Sequence, residues 1–314
     1  MLFGHGGIEM TVDAWIAMYL DLYKRGCKPR TLEEYRRLYA AHILPALGAV
    51  DVADVTPEDV QRVLLCAADR SGARTAQAVH ALLRAAYRRA VRSRLVSWSP
   101  VDAVDRPQHT PEPGVAMTPA DYVAALPWVL DDLGLSLALL AGLRRAEIAG
   151  LQWQDVDLSA RLITIRRTRQ RVGGQLVTGT PKSAAGARCV PIDAQLLPIL
   201  RAEYRLIPGA WVCPCAPECH DRRWKRLQAH TLSLSRRYRL HDLRHTYVTR
   251  LLLAGAVPRV VQYVAGHSSL DVTMRVYAHV TPADARQELD RVASLHGHTS
   301  GYLSLNQGVP GSSP

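Results

Sequence analysis

The spacing of apolar positions predicts that the first part of the chain is built only from helices. Between residues 11 and 96 the pattern favours four or five helices and no convincing strand. Three Thr-Pro-x-Asp sequences, at Thr56, Thr118 and Thr281, predict helix starts, because each offers a capping hydroxyl, a proline for the first helical position and a carboxylate near the positive helix end. A capping-box sequence predicts a further start at Thr31.

The second part of the chain combines helices with a small β-sheet. Helices are predicted at about residues 119–130 and 133–141, from about Arg145, and again after the sheet to about residue 295. β-Branched runs and a Gly-Gly turn predict three short strands, at residues 162–165, 175–180 and 187–192. The predicted fold class is mainly α with a small β-sheet, that is, α+β.

A proline-rich segment separates the two parts. Three prolines and one glycine lie among polar residues between positions 104 and 117, and this composition is typical of a linker. They are Pro107, Pro111, Pro113 and Gly114. We therefore expect a helical domain at 1–104, a linker at 105–116 and a mixed domain at 117–296. The last stretch, 297–314, is rich in Gly and Ser and is expected to be a flexible tail.

The charge balance of the chain predicts a polyanionic partner. With 39 basic and 28 acidic residues the net charge is +11, and nucleic acid is favoured over anionic lipid because no basic amphipathic anchor is present. No apolar run approaches the ~20 residues of a membrane span, and the N-terminus lacks the form of a signal peptide. The six cysteines are irregularly spaced and do not suggest a disulfide framework, so we expect a cytoplasmic protein without membrane association.

Two imidazoles, a guanidinium and a phenol follow one another in the last third of the chain. His241 and Arg244 are three residues apart on a predicted helix and therefore share a face. His267 follows a short predicted helix at 260–264, and Tyr277 comes soon after it. Such a set suits the binding of a phosphodiester beside an attacking tyrosine oxygen. These residues alone leave open a polar helix face with satisfied histidines and a tyrosine in the core.

Five motifs occur in a fixed order along the chain. They are Gly142-Leu143-Arg144-Arg145-Ala146-Glu147-Ile148 with Leu151-Gln152-Trp153, Thr180-Pro181-Lys182-Ser183, His241-Asp242-Leu243-Arg244-His245, Gly266-His267-Ser268-Ser269 and Tyr277-Ala278-His279-Val280. Together they resemble the tyrosine recombinase (phage integrase) family over about residues 118–292. Residues 9–100 resemble the helical core-binding, SAM-like domain of the same family.

The resemblance implies a site that cleaves and rejoins DNA strands. Arg144 and Arg244 match the family's catalytic arginines, whose guanidinium forks stabilise the charge that develops on an attacked phosphodiester. Neither a metal ion nor another cofactor is implied. Arg144 rather than Arg145 is assigned from the family pattern, and Glu147, one turn away, could orient Arg144.

Four further residues complete the implied site. Tyr277 matches the nucleophile, which would form a 3′-phosphotyrosyl bond, and His241 could accept the phenol proton. His267 could hydrogen-bond the phosphate. Lys182 would protonate the leaving 5′ oxygen, a role that does not suit arginine because its pKa exceeds about 12. An exposed lysine without a role is the alternative for this position.

The resemblance also implies an assembly. It predicts a C-shaped clamp around double-stranded DNA, a homotetramer on paired recombination sites and exchange through a four-way junction, and it leaves open an accessory DNA-bending or directionality protein. Only about ten residues precede Thr11, so we expect no arm-site-binding domain of the kind that many phage integrases carry. Two other functions stay open: cleavage and resealing without partner exchange, like that of a type IB topoisomerase, and DNA binding by a non-catalytic relative.

Two weaker features lie outside these motifs. A basic stripe on the helix after Thr75 suits DNA phosphates, although a solvated helix face is the alternative. Its members are Arg84, Arg88 and Arg92. Four weak candidate zinc ligands stand within eight residues, but the Cys-x-Cys spacing is tighter than that of usual zinc fingers, and a loop without metal is favoured. These candidates are Cys213, Cys215, Cys219 and His220.

Overall fold

The computed structural model describes residues 10–110, 114–181, 184–205, 207 and 209–274. The chain divides into two compact units. The first contains the residues up to Gly114 together with Arg169–Thr178, and the second contains Val115–Thr168 and the residues from Gly179 onward. The expected tail at 297–314 lies outside the described residues. No helix in the described ranges combines the length and the apolar character that crossing a lipid bilayer requires.

Helices form almost all of the first unit. Its elements are α1 (Val12–Tyr23), α2 (Pro29–Leu38), a π-helical turn (Tyr39–Ile43), α3 (Leu44–Leu47), α4 (Pro57–Ser71), α5 (Ala73–Arg92) and a 3₁₀ turn (Pro100–Ala103). These helices enclose a core that includes the buried side chains of Trp15, Leu83 and Tyr87. The helical character predicted for residues 11–96 is confirmed.

Two of the predicted capping threonines begin helices. Thr56 accepts a hydrogen bond from the backbone N–H of Asp59 (3.2 Å) at the start of α4. Thr118 accepts one from the backbone N–H of Asp121 (3.1 Å) at the start of the next long helix. Each hydroxyl satisfies a backbone donor that has no partner within its own helix. Thr281 lies outside the described residues.

The start of α2 differs from the prediction. The helix begins at Pro29, and Thr31 lies inside its first turn rather than at its cap. Proline's fixed φ suits the first helical position, and its missing N–H costs nothing there because that donor would be unsatisfied anyway. The predicted start at Thr31 is therefore wrong.

The second unit contains eight helices among its described residues. They are α6 (Pro119–Leu130), α7 (Leu133–Leu140), α8 (Arg145–Gly150), α9 (Leu196–Glu203), α10 (Pro217–His230), α11 (Leu240–Leu253), α12 (Pro258–Ala265) and α13 (Leu270–Met274). The strands of the whole described chain are β1 (Val156–Asp157), β2 (Leu162–Ile165), β3 (Thr168–Val172), β4 (Gln175–Gly179) and β5 (Arg188–Pro191). The mainly helical fold with small sheets agrees with the predicted class.

The strands form two sheets rather than one. Strands β1, β2 and β5 pair antiparallel in the order β1-β2-β5, with Ile163 opposite Val190. Strands β3 and β4 form a separate two-stranded sheet. The strands predicted at 162–165, 175–180 and 187–192 are present, but the middle one does not join the other two. Strands β1 and β3 were not predicted. Strand β1 has two residues, too few to show an alternating pattern, and β3 is polar except at Val172.

Helix α7 lies at the centre of the second unit's core. It packs against α6, α8, α9, α10 and α11, and Leu135, Leu137 and Leu139 are buried. Because neighbours cover it so completely, the end of α7 is fixed in place. The residues that follow, Gly142 to Arg144, therefore lie at a defined position beside α11, whose Leu243 is buried in the same core.

Candidate active site

Arg144 lies at the start of α8, at the end of the loop that follows α7. Its backbone N–H donates to Glu147 Oε2 (2.9 Å), and its Nη1 donates to Glu147 Oε1 (2.7 Å). Its Nη2 donates to the carbonyl oxygen of Gly266 (2.6 Å). The Arg144 side chain keeps 36% of its surface exposed while Glu147 keeps 2%, so a buried carboxylate holds a guanidinium that still reaches solvent. The adjacent Arg145 pairs instead with Asp221 on α10.

Arg244 lies on α11, three residues after His241, and is almost completely buried. Its Nη1 donates to the carbonyl oxygen of Gly142, and its Nη2 donates to the carbonyl oxygen of Ala265. Burial and the nearby charge of Arg144 lower the pKa of Arg244 to about 9. The guanidinium therefore stays protonated at neutral pH.

The two arginines are anchored on consecutive backbone carbonyls. Ala265 is the last residue of α12, and Gly266 follows it with a left-handed φ of 63°, which glycine adopts without strain. The carbonyls at a helix C-terminus lack partners within the helix and carry partial negative charge, so they suit cationic donors. The turn that holds both guanidiniums leads directly to His267.

Both predicted histidines are held as neutral imidazoles. His241 packs edge-on against His245, with ring centroids 4.8 Å apart. Although part of His241 is exposed, desolvation by the protein around the ring, together with the charges of His245, Arg244 and Arg144, lowers its pKa to about 4. Burial and the same two arginines lower the pKa of His267 to about 3. Either ring can accept a proton or donate its single N–H at neutral pH.

A buried threonine sets the orientation of His267. The Nδ1 atom of His267 lies 2.9 Å from Oγ1 of Thr273, which has no exposed surface. When the hydroxyl donates to Nδ1, the proton of the neutral ring lies on Nε2. His267 then presents an N–H donor on the side away from Thr273. The sequence analysis did not single out Thr273, because a threonine six residues after a histidine has no distinctive pattern.

The structure brings together four of the six residues predicted for the catalytic site. These four are Arg144, His241, Arg244 and His267. The two arginines donate to the same turn after α12, and their charges lower the pKa of both histidines. Lys182 and Tyr277 lie outside the described residues. The roles of all six stay predictions.

Arg188, on strand β5, belongs to the same cluster and was missed by sequence reasoning. Its Nη1 and Nη2 each lie 3.1 Å from one carboxylate oxygen of Glu147, and its side chain is fully buried. A usable signal exists in the strand pattern, since Arg188 and Val190 occupy the inward-facing positions. A charged residue at an inward-facing position indicates a buried partner.

The predicted basic stripe on α5 is partly neutralised within the protein. Arg84 Nε donates to Asp102 Oδ1 (2.9 Å), and Arg88 Nε lies 4.0 Å from the same oxygen. Arg92 is exposed. Exposed ion pairs of this kind are weak and exchange readily with solvent or with a phosphate. DNA contact by the stripe stays a prediction.

The candidate zinc ligands do not form a ligand set. Cys215 Sγ lies 3.6 Å from His220 Nε2, whereas Cys219 Sγ accepts a hydrogen bond from Arg222 (3.1 Å). Cys213 is buried, and burial raises the pKa of its thiol to about 12. Across the part of the chain that the structure describes, no three His, Cys, Asp or Glu side chains are grouped so that they could hold a metal ion.

Comparison with known proteins identifies both parts of the chain. Residues 128–284, half of the sequence, match the model of the phage integrase family. Residues 11–64 match the phage integrase N-terminal SAM-like domain. The first range contains Arg144, Lys182, His241, Arg244 and Tyr277.

Individual relatives agree with these family matches. The putative prophage phiRv2 integrase of Mycobacterium tuberculosis is 28% identical over 282 residues, which cover 85% of this chain and 74% of the relative. The tyrosine recombinase XerC of Rhizobium meliloti is 27% identical over 311 residues, which cover 92% and 94%. The structure of the Tn1549 transposon integrase in complex with a circular intermediate DNA superposes with a TM-score of 0.74 at 25% identity, over 90% of this chain and 99% of that one. The chain therefore belongs to the phage integrase family of tyrosine recombinases, and it is a site-specific DNA recombinase.

Proposed function

We propose that Arg144, Arg244, His241 and His267 bind the phosphate at which a DNA strand is cut, and that Tyr277 attacks this phosphate. One observation carries the proposal: the guanidiniums of Arg144 and Arg244 donate to the consecutive carbonyls of Gly266 and Ala265, on the turn that leads to His267. Positively charged guanidiniums held on rigid elements suit a negatively charged phosphodiester, because the donors need little reorganisation when the phosphate binds.

The two arginines stabilise the charge of the reacting phosphate. As Tyr277 attacks in line, negative charge builds up on the non-bridging oxygens, and each guanidinium offers it a positive charge and the N–H groups that the protein acceptors leave over. The carbonyl anchors leave Arg244 without a carboxylate partner among the described side chains, so its charge is not offset by a direct ion pair. That charge is then available to the substrate.

Proton transfer accompanies the attack. His241 is neutral at pH 7 and accepts the proton that the Tyr277 phenol loses as its oxygen bonds to phosphorus. The Nε2–H of His267 donates a hydrogen bond to a phosphate oxygen and keeps its proton, while the Thr273 hydroxyl donates a hydrogen bond to Nδ1. Lys182 gives a proton to the 5′ oxygen as the bond between that oxygen and phosphorus breaks. The products are a 3′-phosphotyrosyl linkage and a free 5′ hydroxyl.

The covalent linkage conserves the energy of the broken bond, so a 5′ hydroxyl from a partner strand can reverse the reaction without an energy source. Complete exchange between two duplexes cuts four strands, and each protomer supplies one Tyr277. We therefore infer a homotetramer on paired sites, which resolves a four-way junction in two rounds of exchange. The arginine stripe on α5 adds sequence-independent phosphate contacts. Cytoplasmic DNA is the proposed substrate.

A two-site plasmid assay tests this function. The target is first selected from a random duplex pool by binding to the Tyr277→Phe protein, and two copies are placed on one supercoiled plasmid. We expect wild-type protein to delete or invert the intervening DNA and to accumulate four-way junctions, whereas Tyr277→Phe yields neither. Relaxation of the plasmid without any exchange between the two sites would contradict recombination and indicate a topoisomerase-like reaction.

A further inference from the structure

Arg188 is a fully buried cation beside the proposed phosphate site. Its hydrogen bonds to described residues go to three acceptors: Nη1 and Nη2 contact Glu147, Nε donates to the carbonyl oxygen of Val264 (2.7 Å), and Nη1 donates to that of Gly186 (3.1 Å). The side chain therefore joins strand β5, helix α8 and the end of helix α12.

Stability alone does not account for this buried pair. Removing a guanidinium and a carboxylate from water costs several kcal/mol for each ion, and apolar side chains of similar volume often fill such a space at equal or lower cost. Here both Arg188 and Glu147 are buried, with 0% and 2% of their side chains exposed. A gain in folding stability is therefore a weak explanation for charged residues at these positions.

The carboxylate of Glu147 faces two guanidiniums at once. Arg144 donates to both oxygens through its Nη1 and its backbone N–H, and Arg188 donates to both oxygens through Nη1 and Nη2. One carboxylate carries one negative charge, whereas the two guanidiniums carry two positive charges. With Arg188 present, the formal charges of the three groups sum to a net positive charge; without it, Glu147 and Arg144 sum to zero.

Arg188 also packs against Gly266, whose carbonyl is the second partner of the Arg144 side chain. The side chain packs so closely on this glycine that an added Cβ would lie 2.9 Å from Nη1 and 3.0 Å from Cδ of Arg188. Its bond to the Val264 carbonyl fixes the turn two residues earlier. Arg188 therefore bonds to Glu147 and packs against Gly266, the two residues that accept hydrogen bonds from the Arg144 guanidinium.

We propose that Arg188 is a positioning residue for the reaction, one that acts through Arg144. It fixes the Glu147 carboxylate and the Gly266 carbonyl, and it offsets the charge of Glu147 so that the charge of Arg144 acts on the DNA phosphate. This inference rests on the proposed function, in which Arg144 binds that phosphate.

A double-mutant cycle tests whether Arg188 acts through Arg144. The rate is measured in single-turnover cleavage of a nicked duplex that carries the selected site. We expect Arg188→Met to lower the rate about 100-fold, the effect typical of a misplaced catalytic group. In an Arg144→Ala background the same substitution should lower it by less than about threefold, because the route to the phosphate is already lost. An equal loss in both backgrounds overturns the proposal.

Two variants separate this role from a general loss of structure. Arg188→Lys restores the positive charge but cannot contact both carboxylate oxygens of Glu147. We expect it to cleave about tenfold faster than Arg188→Met. Arg167→Met is the matched control, because Arg167 pairs with another buried carboxylate, Asp155 (2.6 Å), in the same unit. We expect this control to cleave within about twofold of wild type. A control that loses as much activity as Arg188→Met indicates a merely structural effect and overturns the proposal.

A binding measurement tests the role of Arg188 without strand cleavage. In a Tyr277→Phe background, we compare affinity for a duplex with a normal scissile phosphate and for one with a neutral methylphosphonate at that position. Arg188→Met should reduce the preference for the charged phosphate at least threefold, and an unchanged preference contradicts the proposal. If the protein with Tyr277 intact forms no covalent adduct, the proposed function fails, and this ratio still decides the role of Arg188.

Discussion

Replacing Glu147 by glutamine tests the buried charge cluster without changing its shape. Among the described residues, Glu147 is the carboxylate that pairs with both Arg144 and Arg188, and the substitution removes its negative charge. The Arg188 side chain has no exposed surface and cannot regain water. Removing one partner of a buried ion pair costs about 3–5 kcal/mol, because the remaining ion stays buried and uncompensated. At about 2–4 °C per kcal/mol for a domain of this size, Tm should fall by about 6–20 °C.

The pH dependence of this loss has a defined sign. Burial raises the pKa of Glu147, but the hydrogen bonds and charges of Arg188 and Arg144 outweigh it and leave the pKa lowered. A lowered pKa contributes stability above the unfolded value of about 4.3, and that contribution disappears as the pH falls through the folded pKa. The Tm gap between wild type and Glu147→Gln should therefore be full at pH 7 and should narrow below about pH 4.3.

Thermal unfolding followed by circular dichroism measures both effects. Asp155→Asn is the matched control: it also removes a buried carboxylate, but its partner Arg167 keeps 21% of its side chain exposed and can be rehydrated. We expect a smaller Tm loss for this control. A Glu147→Gln protein that melts within 2 °C of wild type, or a gap that stays constant down to pH 3, would refute the charge-cluster reasoning.

Three further predictions concern the site. Gly142→Ala forces alanine to a φ of 62° and makes its Cβ overlap the ring of Tyr247. It should cut adduct formation on a nicked duplex at least tenfold, and near-normal formation would contradict this packing. Because the pKa of His241 is lowered to about 4, the cleavage rate should stay level from pH 8 to 6 and fall at lower pH as the ring gains a proton; a steep fall already between pH 8 and 7 would rule out this base. Thr273→Val leaves Nδ1 of His267 without its partner and should slow single-turnover cleavage about fivefold, whereas an unchanged rate would exclude the orienting role.

Local chemistry made much of the fold predictable. Thr56 and Thr118 begin helices because a hydroxyl, a proline and a carboxylate act within one turn. Gly266 ends α12 for an equally local reason, since its left-handed φ suits glycine. At Thr31 two local signals compete, and the proline two residues earlier determines where α2 begins.

The site required information that lies far apart in the sequence. Motif order was enough to predict that Arg144 and Arg244 serve one phosphate, but their shared anchor, the Ala265 and Gly266 carbonyls, depends on packing between α8, α11 and α12. The role of Arg188 depends on a carboxylate 41 residues away along the chain. No spacing rule links two such positions, so only the folded structure reveals the pair.

A nicked suicide substrate that bears the selected site tests whether the arginine-histidine cluster presents a phosphate to Tyr277. Loss of a short fragment after cleavage prevents religation and traps the covalent intermediate. We expect wild-type protein to form an adduct whose nucleotide-bearing peptide maps to Tyr277, and Tyr277→Phe to form none. An adduct that persists in Tyr277→Phe, or that maps to another residue, would show that Tyr277 is not the nucleophile.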